Sequence, residues 1–307
     1  MSSPDAPTLN AHHGIPDQLS FTEASGGLIV AEVDNAHATA TIALQGAHLM
    51  TWTPKSAGQS VIWLSKAAKL APGKSIRGGV PICWPWFGPH PAEPGFPGHG
   101  FARTVPWSVV ETQKLVNGAT RLVFRIVHSD STRAQWPHPT ELEIHMVVGP
   151  TLDIDLVTRN KGQAAIRVGD ALHTYFEVGD VREVKVHGLD GCPYIDKVDA
   201  SKRKRQIGPV TIAGEVDRIY LDSTADCVIE DPGLRRRIRI TKKGSASTVV
   251  WNPGTEKAAK MGDLGEEGYL NMLCVESTNA DADEVDLAPG AEHHLWVSYS
   301  VEALGEP

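Results

Sequence analysis

The sequence predicts an all-β fold, a sandwich or barrel of many short strands, on three observations. Apolar and polar residues alternate with period two along much of the chain. Turn signals separate the alternating segments, and convincing amphipathic helices are absent.

Taken in order, the predicted strands are 38–44 (ATATIAL), 121–127 (RLVFRIV), 142–148 (LEIHMVV) and 151–159 (TLDIDLVTR), then 236–241 (RRIRIT), 247–251 (STVVW) and 294–301 (HLWVSYSV). Each puts its apolar side chains on one face, as a pleated strand with a packed side requires. The breaks carry turn chemistry: Asn117–Gly118, Gly149–Pro150, Asn160–Lys161–Gly162, Asp231–Pro232–Gly233 and Pro289–Gly290. Only 65–70 and 255–260 could make a helical turn or two. Strands do not alternate with helices, which excludes a Rossmann-type domain, and GGVP and GEEG lack the spacing and Lys of a phosphate loop.

The chain has 307 residues, 41% of them hydrophobic, which is ample for a sizeable core. No repeat or long linker divides it, so one domain over 19–304 is expected, preceded by a polar, flexible segment at 1–18. A formal net charge of −8 lacks the electrostatic footprint of a nucleic-acid binder. Cysteines at 83, 192, 227 and 274 show neither CxxC pairing nor secreted-type spacing. With no membrane-length apolar run and no signal-peptide core, the expectation is a cytoplasmic protein without a membrane partner. No exposed apolar stripe stands out, so a monomer is expected.

Residues 76–103, IRGGVPICWPWFGPHPAEPGFPGHGFAR, are too rich in Gly and Pro for regular structure, yet hold Trp, Phe and Arg side chains costly to leave loose in water. Such a loop is a functional candidate. Aromatic faces suit the C–H surfaces of a sugar, and guanidinium groups suit an anion. Here IRGGVPICWPWFG followed by HGFAR resembles the signature of the hexose-6-phosphate mutarotases, members of the aldose 1-epimerase family. GAHLMTW at 46–52, DALHTYFEVGD at 170–180, EVDRIY at 215–220, VWNP at 250–253 and NMLCVES at 271–277 resemble that family too, in its order.

The resemblance implies a single-domain antiparallel β-supersandwich and interconversion of the α and β anomers of a hexose 6-phosphate. That reaction needs an acid for the ring oxygen and a base for the C1 hydroxyl, expected on opposing sides of one pocket. By resemblance His173 is the acid and Glu276 the base. By residue type alone, His173 reads as a hydrogen-bonded core or edge histidine and Glu276 as a strand-end carboxylate facing solvent.

Arg77 and Arg103, at the two ends of the loop, are implied to hold the sugar phosphate; otherwise they are loop-pinning arginines. His99 could bond a sugar hydroxyl or orient the loop, and Asp217 matches a family carboxylate that binds hydroxyls. Trp84, Trp86 and Phe87 are candidates for an apolar wall under the ring, Trp86 foremost, or for anchors of the loop. Where some relatives carry Gln before HGFAR, this chain has Gly98 and lacks that side-chain contact.

Proton chemistry implies no metal and no organic cofactor. His12–His13 and His293–His294 lack partners at metal-ligand spacing, and 281–286 (DADEVD) reads as an exposed loop without the Gly and Glu of an EF-hand. Lys202–Arg205 reads as a solvated basic loop, and Cys274 as a buried strand thiol. An epimerase for unphosphorylated sugars and a non-catalytic sugar-phosphate sensor are the competing functions.

Overall fold

The computed structural model describes residues 4–265 and 267–305. Two eight-stranded sheets form the body. One runs, in spatial order, Lys185–His187, Cys227–Asp231, Arg236–Lys243, Glu292–Ala303, Leu152–Asn160, Thr140–Val148, Thr120–Ile126 and Trp107–Lys114. The other runs Lys202–Arg205, Pro193–Asp196, Val216–Tyr220, Ser247–Asn252, Met272–Asn279, Asp170–Leu172 and Ile82–Cys83, with Tyr175–Glu177 also pairing Met272–Asn279. A four-stranded sheet of Leu19–Glu23, Ile29–Asp34, Ala38–Ala43 and His48–Pro54 adjoins them, and Ile166–Val168 pairs with Val285–Leu287. The ladders within and between these strands are antiparallel. Every segment that alternation marks as a strand is one here, with ends shifted by a residue or two.

The two large sheets pack face to face, and side-chain parity shows how. From Met272–Asn279, Leu273 and Val275 join the main core with Leu156, Leu295 and Val297 of the facing sheet. Thr174 meets the Tyr299 hydroxyl at 2.6 Å, and the Phe176 ring meets that of Tyr299 edge-on. The alternate residues, Met272 and Cys274, face the other way into a second cluster with Trp63, Tyr175, Val249 and Trp251. Met272–Asn279 is therefore buried on both sides, and all eight of its residues are inaccessible. A strand so placed gives no alternation in hydropathy.

Three expectations are corrected. Within 1–18, residues Ala6–His13 form a helix capped by the Asp5 carboxylate, with Leu9 buried. The Asn10 side chain ties that helix to the backbone of Phe21 through two hydrogen bonds, so this part of the segment is docked. Lys202–Arg205 is an edge strand, a place where lysines and arginines discourage further pairing. There Lys204 is neutralised by Asp196 and Asp199, at 2.8 and 2.9 Å. The stretch 281–286 contributes a turn at Asp281–Asp283 and the strand Val285–Leu287. In it Asp283 accepts from the Ala246 amide, the Ser247 hydroxyl and the Asn279 amide group. The helical turn expected at 255–260 is present as Gly254–Ala258, and 65–70 is irregular with a turn at 66–67. A helix not expected, Asp130–Gln135, is capped by Ser129, whose side chain accepts from the Thr132 amide.

Candidate active site

Residues 76–103 fold over the edge of the site-bearing sheet as an ordered strap. Gly79 donates to the Trp63 carbonyl at 2.7 Å and Val80 to that of Leu49 at 2.8 Å. The backbone amides of His173 and Tyr175 donate in turn to Pro81 and Gly79, at 3.0 Å each. At the far end, Gly100 has φ of +69° and lies so close to Trp84 that a Cβ would sit 1.9 Å from its carbonyl oxygen. Only glycine fits there. Below the strap, fully buried His48 bonds the Gly78 carbonyl through Nε2 at 2.8 Å. Burial depresses its pKa to about 4, so it acts as a neutral prop.

Under the strap lies a cavity of about 620 Å³ whose wall includes Arg77, Phe87, His99, Arg103, His173, Tyr175, Asp217, Trp251 and Glu276. His173 Nδ1 and Glu276 Oε1 are 3.4 Å apart, although His173 belongs to the crossing after Asp170–Leu172 and Glu276 to Met272–Asn279. The acid and base candidates therefore stand side by side, contrary to the expected placement on opposing sides. The chemistry accounts for it: a sugar's C1 hydroxyl and ring oxygen are bonded to the same carbon.

Burial sets the electrostatics of this pair. Glu276 has 1% of its side chain exposed, and its pKa is driven well above the ordinary glutamate value, first by desolvation and then by nearby Asp217. Desolvation likewise drives His173 well below the ordinary histidine value, helped by His99 and Arg103. Both shifts disfavour charge. Burial thus favours the uncharged pair, an imidazole beside a carboxylic acid, which holds one proton between two groups. That is the same proton inventory as an imidazolium beside a carboxylate.

Aromatic rings hold His173 in place. Tyr175 is stacked on it with centroids 5.0 Å apart and an interplanar angle of 12°. Trp251 and His99 approach edge-on, at 5.9 and 5.8 Å. His99 has φ of +65° and accepts from the Gly88 amide through Nδ1 at 3.3 Å. Burial, then Arg103, lowers its pKa to about 4, which makes it a neutral hydrogen-bonding group on the cavity wall. Asp217 lies on the strand beside Trp251, in register with it, and 3.9 Å from Lys257 Nζ. Burial raises its pKa too.

The arginines differ. Arg77 is already engaged, giving Nε to Asp263 at 3.1 Å and Nη1 to the Tyr175 hydroxyl at 3.0 Å. Arg103 donates to the Gly98 carbonyl at 2.8 Å and, among the described residues, has no carboxylate in salt-bridge contact. A guanidinium with spare donors at a cavity wall is suited to an incoming anion.

Six of the seven candidate side chains meet in this one cavity; Trp86 does not. Its ring is buried against Phe96, His90 and Phe101, with Nε1 bonded to the Pro97 carbonyl at 3.0 Å. It anchors the strap, as does Trp84, whose Nε1 reaches Thr158 in the opposite sheet. The aromatic part of the wall is Phe87, Tyr175 and Trp251, with Ile219 and Val249 among its aliphatic residues. Tyr175 was legible in principle, two residues from His173 on an extended segment and hence on the same face. Trp251 lay within a recognised motif without an assigned role. Nothing in the sequence marked Asp263, Lys197 or Lys257.

A sequence profile of the family described as aldose 1-epimerase matches residues 30–300. An Escherichia coli K12 protein provisionally named glucose-6-phosphate 1-epimerase is 41% identical over 249 residues, covering 81% of this chain and 82% of its own. The crystal structure of a provisionally named mutarotase of Salmonella typhimurium superposes with a TM-score of 0.88 at 36% identity, covering 95% of this chain and 96% of that one. A galactose mutarotase-like protein of Lactobacillus casei shares the fold, with a TM-score of 0.67 at 16% identity over 89% of this chain and 100% of that one. With the paired imidazole and carboxyl group in a sugar-sized cavity, these likenesses identify the chain as a member of the aldose 1-epimerase family.

Proposed function

We propose that this protein is a hexose-6-phosphate 1-epimerase acting on glucose 6-phosphate, with His173 and Glu276 as its acid and base. One observation carries the reading: the cavity that holds the adjacent His173–Glu276 pair also holds Arg103, a cation without a carboxylate partner among the described residues. A neutral sugar has no use for that charge. The relatives' names point to the same substrate.

The reaction moves protons only. In the charge-separated form of the pair, the Glu276 carboxylate takes the proton of the C1 hydroxyl while the His173 imidazolium gives one to the ring oxygen. The bond between C1 and the ring oxygen breaks and an aldehyde forms. Rotation about the bond from C1 to C2 presents the other carbonyl face. Closure then returns both protons along the same paths, leaving the pair as it began. Each positioned proton transfer contributes ~10²–10⁴-fold over water. His99 and Asp217 are hydroxyl partners in this reading, and Phe87 and Trp251 cover apolar sugar surface. Arg77 and Arg103 hold the phosphate.

The test is the anomerisation rate of α-glucose 6-phosphate beside α-glucose, followed with a dehydrogenase selective for the β anomer. Acceleration confined to the phosphate ester is the expected result. Equal rates on the free sugar would reassign the protein to unphosphorylated aldoses, and no acceleration of either would make it a binding protein.

No helix is long and apolar enough to cross a membrane among the described residues. The four cysteines are free thiols, which supports a reducing compartment, the cytoplasm, as the place of work. Action as a monomer completes the proposal.

A further inference from the structure

We propose that His173, Cys274 and Glu276 together form a binding site for a thiophilic divalent cation such as Zn²⁺, and that its occupation switches the enzyme off. One ligand atom from each residue lies within 4.8 Å of the other two. The sheet explains the convergence. Cys274 and Glu276, two apart, project from the same face of Met272–Asn279. Tyr175 is the cross-strand partner of Cys274, and His173 stands two residues before it. The three side chains thus occupy neighbouring positions on one surface.

The donor types suit the ion. A thiolate, an imidazole nitrogen and a carboxylate oxygen are all zinc ligands, and three protein ligands leave a fourth position open. Two of the three residues, His173 and Glu276, line the sugar cavity, which supplies the entry route.

A second observation points to a missing partner. Glu276 Oε2 and His173 Nδ1 are buried and have no hydrogen-bond partner among the described residues. Buried polar atoms left unsatisfied are costly, and a cation would satisfy both residues at once.

Distances allow it. With bonds of ~2.0–2.3 Å, tetrahedral zinc ligands stand about 3.3–3.8 Å apart. The His173–Glu276 separation of 3.4 Å already meets that spacing. No pair in the cluster is more than 4.8 Å apart, so the closure needed is at most about 1 Å.

On binding, the S–H bond of Cys274 and the O–H bond of Glu276 break, both protons pass to water, and the sulfur and the carboxylate oxygen bond to the metal. Ligation by a thiolate and a carboxylate therefore releases protons. The site rests on this geometry. Its inhibitory consequence rests on the proposed roles of His173 and Glu276.

Titration of the purified chain with Co²⁺, a spectroscopic substitute for Zn²⁺, tests the site without reference to activity. The expected result is a saturable thiolate-to-cobalt band in the near ultraviolet that Zn²⁺ abolishes, that glucose 6-phosphate suppresses and that is missing in Cys274→Ser. In parallel, Zn²⁺ should inhibit the wild type at least ~10-fold at concentrations that spare Cys274→Ser, each rate being referred to that protein's own metal-free rate. No thiolate band, or the same band and inhibition in Cys274→Ser, overturns the site. Should Cys274→Ser not fold, Glu276→Gln serves instead: its Co²⁺ affinity should fall by ~10-fold or more, and unchanged affinity is fatal to the idea. A Cys274-dependent band in a protein that accelerates no anomerisation would uphold the site and remove both the epimerase reading and the inhibition.

Discussion

At Glu276, burial and charge act in the same direction, and the protein pays for it in stability. The unfolded chain releases this proton near the ordinary glutamate value of 4.5, whereas the folded chain retains it to a much higher pH. Stability contributed by the protonated group is therefore complete below about pH 4.5 and is lost as pH rises toward the folded-state pKa. Glu276→Gln, neutral at every pH, should raise the melting temperature at pH 8 and leave it nearly unchanged at pH 4. The same variant should lower kcat by ~10²–10⁴-fold while sugar-phosphate binding, measured by calorimetry, is largely retained. Gain of stability with loss of turnover would mark the carboxylate as chemical and not architectural. Tyr175 offers a related test. Its hydroxyl bonds Arg77 while its ring stacks on His173, so one side chain touches both an arginine proposed to hold the phosphate and the proposed acid. Tyr175→Phe keeps the stack and removes the bond. We expect KM for glucose 6-phosphate to rise ~10-fold, the order of one hydrogen bond to a charged group, with kcat nearly unchanged.

The strap 76–103 shows how an element without regular structure can be rigid. Its backbone is bonded to Trp63, Leu49, His173 and Tyr175, and its two tryptophans serve as anchors. Gly100→Ala would push a Cβ into the Trp84 carbonyl and strain a backbone at φ of +69°. A loss of at least ~2 kcal/mol is expected, read by chemical denaturation, together with a raised KM because Arg103 follows three residues later. Arg103→Ala isolates the charge from the scaffold. KM should rise ~10–100-fold for the phosphate ester and stay level for free glucose. Equal losses on both substrates would sink the phosphate role.

At the scale of the whole molecule, the packed sheets are a platform and the outer face of one of them is the site. Ile154, fully buried between the sheets, lies in the strand Leu152–Asn160 of the sheet that does not carry the cavity. Ile154→Ala should cost ~2–5 kcal/mol of stability, measured by denaturant melts, with kcat per folded molecule unchanged. Coupled loss of both would mean that the platform and the site are not separable.

Much of this was legible in the sequence, and the reason is local. Alternation is a property of neighbouring residues, so strands such as Arg236–Lys243 and Thr140–Val148 announced themselves, as did the Gly- and Pro-punctuated strap. The motif resemblance carried His173, Glu276, Arg77, Arg103, His99 and Asp217 to one cavity. Folding alone decided what depends on distance through space. It put His173 and Glu276 side by side, buried Trp86 while turning Phe87, Tyr175 and Trp251 to the cavity, and engaged Arg77 with Asp263 while leaving Arg103 without a carboxylate among the described residues. Met272–Asn279, buried on both faces, gives no periodic signal, and the placement of Cys274 beside His173 and Glu276 comes from the register of that strand against Tyr175. Hydropathy records which residues leave water; only the pairing of distant strands determines which of them meet.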